Sequence, residues 1–232
     1  MRRGLRVLGT ALVISGVAAL AWTLVVWRWQ DPFTAVYTAF QQHRLARQYD
    51  RLVAAYKAPR LQSASLAAVR HAVVEEAQRY RLATHQGEAI GRIVVPRLHL
   101  NMVFVDGTDE GSLEKGPGRD LHTYMPGEGR LVYIAGHRTT FLAPFSHIER
   151  LRRGDSVALR MPYATFVYRI TRHRIVAADD LSVLRSPHHE VLALQACHPR
   201  FFATHRYIAY ARPVRVMPEN GPAWSIRAIA TG

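Results

Sequence analysis

Two segments carry residue types that could do chemistry together: Ile134-Ala135-Gly136-His137-Arg138-Thr139-Thr140 and Leu194-Gln195-Ala196-Cys197-His198-Pro199-Arg200. In each, a hydrophobic run stops at a reactive side chain and gives way to polar or turn-forming residues, as expected of a strand end, where a rigid element fixes a side chain and the loop leaves room for a ligand. Cysteine acyl transfer needs a thiolate, an imidazole to carry the proton to the leaving amine, and a donor aimed at the developing oxyanion. Cys197 is the only cysteine of the chain, so no intrachain disulfide can form. A free cysteine is commonly an inert buried hydrophobe, and its neighbours decide whether it is more than that. His198 adjoins Cys197, but successive side chains of a strand point to opposite faces, so the distant His137 is the better base. Arg206 lies one turn and a return strand beyond Cys197, and its permanently charged fork of donors suits an oxyanion.

The elements that must position these residues differ along the chain. From Val7 to Trp27 there is no charge, a stretch that crosses roughly 30 Å of hydrocarbon as a helix. A cleaved signal peptide is the rival reading, with Ala19-Leu20-Ala21 as its site, but apolar residues continue through Trp27, which favours a retained anchor. Arg2, Arg3 and Arg6 precede the span, so a cytoplasmic N-terminus is expected, although Arg28 and further basic residues follow it. Next, Phe33, Val36, Tyr37, Phe40, Leu45, Tyr49, Leu52, Val53 and Tyr56 recur at helical spacing, and Leu66, Val69, Val73, Ala77 and Tyr80 do so again, with Glu75 and Glu76 on other faces. These predict two helices forming a stalk or packed collar. Beyond Gly87 the texture becomes β-rich, with strands expected at 91–96, 100–105, 131–135, 156–160, 166–176, 191–197 and 205–212, and a short helix at 144–151. The expected organisation is an anchor over 1–30, a helical stalk over 31–87, an all-β catalytic domain over 88–216 and a tail over 217–232.

The net charge of +14 is almost entirely arginine, Lys57 and Lys115 being the only lysines. Such a charge attracts any polyanion, an anionic lipid surface included, and no nucleic-acid motif accompanies it.

Taken together, the Gly-His at 136–137, the Leu-x-x-Cys ending at Cys197 and the following Arg206 resemble the sortase signature. Ala135–Thr140 followed by Ala143-Pro144-Phe145, with Cys197–Arg200, is similar to the class E sortases of actinobacteria, as are Ile90–Ile93 with Val95-Pro96, Gly116–Gly118, Met125–Glu128 and Arg153–Asp155. The resemblance covers about residues 88–215 and implies an eight-stranded β-barrel that cuts a C-terminal sorting signal between Thr and Gly and passes the acyl-threonine to an amine. It implies Cys197 as nucleophile, His137 as acid/base and Arg206 as oxyanion partner, with no cofactor and no metal. Tyr124 and His122, with Ala196, Thr139 and Arg138, are the candidate substrate-groove residues. The implied partners are proteins with LAXTG- or LPXTG-like signals and an amine of a peptidoglycan precursor or a pilin. One departure stands out: the family usually has Thr before the cysteine, and here Ala196 takes that place, which predicts a slower or differently selective enzyme. Two other classes compete. His188, His189, Cys197, His198 and His205 could serve a metal, though no paired-ligand spacing occurs. A membrane-tethered module could also have kept the fold without the activity, binding wall polymer or lipid.

Overall fold

The computed structural model describes residues 2–29, 32–57 and 65–226. Helix α1 (Arg2–Trp29) contains a stretch, Arg2–Val25, of mean hydropathy 2.0 with none of it buried in the rest of the chain. By length and composition this helix can cross a membrane.

Among the described residues, nine strands follow two further helices: β1 (Ala89–Val95), β2 (Leu100–Asp106), β3 (Gly118–Arg119), β4 (Leu131–Ala135), β5 (Ser156–Arg160), β6 (Ala164–Ala177), β7 (Val191–His198), β8 (His205–Pro218) and β9 (Trp224–Ser225). They are ordered β6-β5-β1-β2-β3-β4-β7-β8-β9, and a β6–β8 pairing closes the first eight into a barrel, leaving β9 as an appended edge. The β2–β3 and β4–β7 pairs are parallel and the others antiparallel. Closure matters because it leaves no long unpaired edge among the barrel strands. The strands expected from the β-rich runs are all present. Two were not expected, β3 and β9, each two residues long; β3 joins β2 to β4 through Val105↔Gly118 and Gly118↔Ala135. Gly118 is required there: a Cβ would sit 2.0 Å from the Gly107 carbonyl oxygen. Within the expected helix at 144–151 there is a single 3-10 turn, Ile148–Arg150. At the other end β8 runs on to Pro218 and Trp224–Ser225 folds back on it, so residues 217–218 and 224–225 of the expected tail are sheet, while 227–232 lie outside the described residues.

Both predicted helices form, α2 (Pro32–Ala55) and α3 (Leu66–Ala83), and both lie on the barrel. Ser65 caps α3 by accepting from the Ala68 amide at 3.2 Å. Val73, Ala77 and Tyr80 of α3 join the barrel core with Ile93, Phe104, Ile134, Phe166 and Leu194. Glu76, expected on a polar face, is buried too, because the Tyr56 hydroxyl and the Arg79 guanidinium both donate to its carboxylate. On α2, Leu45 and Tyr49 pack against Ala89, Val103 and Val105. Ala46 and Leu52 pack beside them, and the N-terminal part of the contact stripe is polar: the Thr38 hydroxyl donates to the Glu114 carbonyl at 2.8 Å, and the Gln42 amide exchanges bonds of 2.8 and 2.9 Å with the Val103 backbone. Val36, Tyr37 and Phe40, expected on the buried stripe, are exposed.

Candidate active site

Strand parity sets up the site. Leu131 and Tyr133 of β4, Ala193 of β7, and Ile208 and Tyr210 of β8 pack with Val176 in a small apolar cluster outside the barrel core. Their neighbours Val132, Ile134, Leu192, Leu194, Ala196, Ala209 and Ala211 face the barrel core. Odd residues of β4 and β7 and even residues of β8 therefore share the outer face. Cys197 and Arg206 both belong to that set, and they are direct partners across the β7–β8 ladder, so their side chains project from the same side.

His137 reaches the same place from β4. That strand pairs in parallel with β7 through Ala135↔Gln195, and the Gly136 amide donates to the Gln195 carbonyl at 3.0 Å. Continued for two residues, that register directs His137 toward the Cys197 side, although β4 itself ends at Ala135. The turn out of the strand is fixed by Phe145, whose amide donates to the His137 carbonyl at 3.1 Å and whose ring lies where a Cβ on Gly136 would fall, at 2.7 Å. This explains the glycine before the histidine. Phe141, Leu142 and Ala143 all adopt positive φ, and the Phe141 ring lies 4.9 Å from the imidazole.

The three side chains differ in electrostatic setting. Burial pushes the His137 imidazole below its ordinary value of 6.5, against the opposing pull of Glu114 and Glu110. Its Nε2 is buried and has no hydrogen-bond partner among the described residues. Cys197 is a half-buried free thiol. Arg206 is half-buried, and its Nη1 donates to the Ala203 carbonyl at 2.8 Å and the His205 carbonyl at 3.1 Å. Its charge reaches the Tyr133 phenol on the cluster below, where it opposes the upward push of burial.

The remaining sequence candidates are distributed differently. Ala196 is fully buried in the barrel core, so its methyl points away from Cys197. His122 is exposed and lies beside Asp120, its amide donating to that carboxylate at 2.9 Å. Tyr124 is half-buried, with the Arg81 guanidinium of α3 stacked 5.4 Å above its ring. The loop carrying both is anchored by the buried Arg119, which pairs with Asp106 at 2.6 Å and donates to the Thr123 carbonyl. Thr139 is half-buried in the loop after His137. Arg138 is buried rather than open to a groove: it donates to the Cys197 carbonyl at 3.0 Å and to Glu149 at 2.8 Å, and its Nη1 lies 3.0 Å from Nδ1 of His198. His198 thus sits on the face opposite the thiol. Among the described residues no three His, Cys, Asp or Glu side chains gather where a metal ion could be held.

The sequence reading did not find the apolar cluster of Tyr133, Ile208 and Tyr210 on this face, nor Val183 and Leu184, which pack against it from the 3-10 turn Leu181–Leu184. Strand parity would have identified the first three; the other two come from an irregular segment that carries no periodic signal.

A half-exposed thiol directly opposite a guanidinium, with an imidazole just beyond the end of the adjacent parallel strand, on the outer face of a closed barrel, makes a candidate acyl-transfer site of the cysteine transpeptidase kind. The comparisons agree: residues 93–214 match the sortase domain family, and the chain belongs to that family. It is 35% identical over 132 residues to sortase D of Bacillus subtilis, covering 55% of this chain and 65% of that relative's length. The structure of sortase E from Streptomyces avermitilis superposes with a TM-score of 0.52 at 28% identity, over 58% of this chain and 93% of that one. A Clostridium perfringens sortase D5 transpeptidase shares the fold, with a TM-score of 0.61 at 22% identity, over 75% of this chain and 98% of that one.

Proposed function

We propose that this chain is a membrane-anchored sortase that cuts a C-terminal LAXTG- or LPXTG-like signal between Thr and Gly and transfers the acyl-threonine to an amine of a peptidoglycan precursor or a pilin. The observation that carries the reading is the register: Arg206 directly opposite Cys197 on β8, and the β4–β7 ladder leading His137 to the thiol's other side. In the reactive form the thiol has passed its proton to His137, a minor state given the lowered imidazole, and the Cys197 thiolate attacks the Thr carbonyl carbon. Arg206 donates to the oxygen that gains charge. The C–N bond then breaks as the His137 imidazolium protonates the departing Gly nitrogen, leaving a thioester on Cys197. The acceptor amine attacks the thioester, gives a proton to His137, and the C–S bond breaks to return the thiolate.

The apolar helix α1 serves as the anchor, with Arg2, Arg3 and Arg6 on the cytoplasmic side and the barrel outside the cell. Because α2 and α3 contribute to the packed core, the test uses the full chain in detergent micelles. Incubated with LAXTG and LPXTG peptides with and without an amine, it gives amine-dependent ligation by mass spectrometry, abolished by Cys197→Ala. A folded chain that forms no thioester, cleavage product or ligation product with either peptide would contradict the proposal and favour a binding module that has kept the barrel.

A further inference from the structure

On its β4 side, the β7 strand end that bears Cys197 is held by a side chain rather than by the ladder. In a parallel pair, donors to one strand come from alternate residues of the other. After the Gly136 amide donates to the Gln195 carbonyl, the next donor in register, to the Cys197 carbonyl, is the amide of residue 138. By then the chain has left the strand, since β4 ends at Ala135. Arg138 supplies the missing donor from its guanidinium, Nη1 lying 3.0 Å from the Cys197 carbonyl oxygen. The other arm is fixed: Nη2 donates to Glu149 at 2.8 Å, and Nδ1 of His147 lies 3.5 Å from the second carboxylate oxygen. The Arg138 side chain is only 6% exposed while Glu149 is 40% exposed, so the arm to the Cys197 carbonyl is shielded from water, where a charge-assisted bond is strong, and the arm to Glu149 is partly solvated.

We propose that Arg138 is a positioning residue, a buried clamp, backed by Glu149, that ties the loop bearing His137 to the backbone of Cys197 and keeps imidazole and thiol in register. It touches neither substrate nor reacting atoms; it acts through the carbonyl of the nucleophile and through its own neighbour in the chain. The inference rests on the reading of Cys197 and His137 as nucleophile and acid/base. It departs from the sequence expectation, which placed Arg138 in the substrate groove. A displacement of about 1 Å between reacting groups can cost on the order of a hundredfold in rate, which sets the scale of the effect.

The test compares the full-length protein in micelles with Arg138→Gln, Arg138→Lys, Glu149→Gln and, as a control on an exposed neighbouring guanidinium, Arg150→Gln. Peptide ligation gives kcat and KM. Alkylation of Cys197, the only thiol in the chain, by iodoacetamide across the neutral pH range reads the site without any substrate. Thermal unfolding reports the fold. Arg138→Gln is expected to lower kcat about ten- to a hundredfold with KM nearly unchanged and to move the alkylation profile off the wild-type curve. Arg138→Lys recovers part of the loss because one donor to the Cys197 carbonyl remains, Glu149→Gln gives a smaller loss in kcat, and Arg150→Gln behaves as wild type. A folded Arg138→Gln with wild-type kcat and alkylation profile would overturn the proposal, as would a loss confined to KM, which would return Arg138 to substrate binding. If the wild type ligates no peptide, the proposed activity fails, and the alkylation profiles still decide the clamp: displaced in Arg138→Gln upholds it, superimposable overturns it. Should Arg138→Gln not fold, Glu149→Gln decides on the same two readouts.

Discussion

Cys197 and Arg206 are opposed residues of the β7–β8 ladder, so thiol and guanidinium leave the sheet on one face, above Tyr133, Ile208 and Tyr210. The pairing requires no loop to fold correctly: it is fixed by the backbone hydrogen bonds that close the barrel. His137 is held less directly, through a ladder that ends before it and a turn of three residues with positive φ.

The burial of His137 has a measurable consequence. Its imidazole titrates below 6.5, and the folded chain therefore binds fewer protons than the unfolded chain between that lowered value and 6.5. Stability rises with pH through this window and is reduced below it. In a proton NMR titration the His137 ring is expected to show a midpoint under 6.5, and Glu114→Gln, which removes the leading favourable charge, is expected to lower it further. A midpoint above 6.5 would instead reveal an imidazolium stabilised by a Cys197 thiolate.

The methyl of Ala196 lies in the barrel core, so a threonine there would bury its hydroxyl among apolar side chains. Ala196→Thr is expected to cost about 1–3 kcal/mol by chemical denaturation and to leave kcat for peptide cleavage unchanged. A gain in kcat would show that a hydroxyl at this position does reach the site, as the family pattern suggests.

The Asp106–Arg119 pair is almost fully enclosed, and burial raises the Asp106 carboxyl despite the guanidinium beside it. Arg119→Leu leaves that carboxylate unpaired and should destabilise the fold by about 3–5 kcal/mol, with loss of order in the 120–124 loop. Replacing Asp106 by Asn in the same chain is expected to recover a good part of this. Equal denaturation midpoints for Arg119→Leu and wild type would show the pair to be dispensable.

Helix α2 is a structural part of the barrel, because Leu45 and Tyr49 fill a cluster with β1 and β2. Leu45→Ala should cost about 2–5 kcal/mol, measured as a shift of the barrel's own unfolding transition followed by near-ultraviolet circular dichroism. An unchanged transition would mean that α2 is only a spacer.

How far the sequence reaches depends on what each element is made of. The strands β4, β5 and β7 are legible as short β-rich runs bounded by turn residues, and the period of two within a strand separates Cys197 from His198. The strand β3 is not, since two residues carry no period and Gly118 and Arg119 are strand only because Val105 and Ala135 flank them. On α2 the apolar pattern misplaces the buried face: Thr38 and Gln42 lie on it to satisfy backbone groups of the barrel, while Val36 and Phe40 face away. Likewise Glu76 reads as a surface charge until Tyr56 is brought to it from another helix. Cys197, His137 and Arg206 follow from strand ends and residue chemistry, whereas Arg138 and Glu149 meet only after the turn at Ile148–Arg150 folds beside the end of β7.

The most direct test of the account is intact-mass detection of a covalent adduct on Cys197 when the full chain is mixed with sorting peptide without an amine, in wild type, His137→Ala and Arg206→Ala. The account predicts a thioester carrying the peptide up to its threonine in the wild type, and none or very little in either variant. A wild-type adduct that forms equally well without Arg206 or without His137 would contradict the three-residue site.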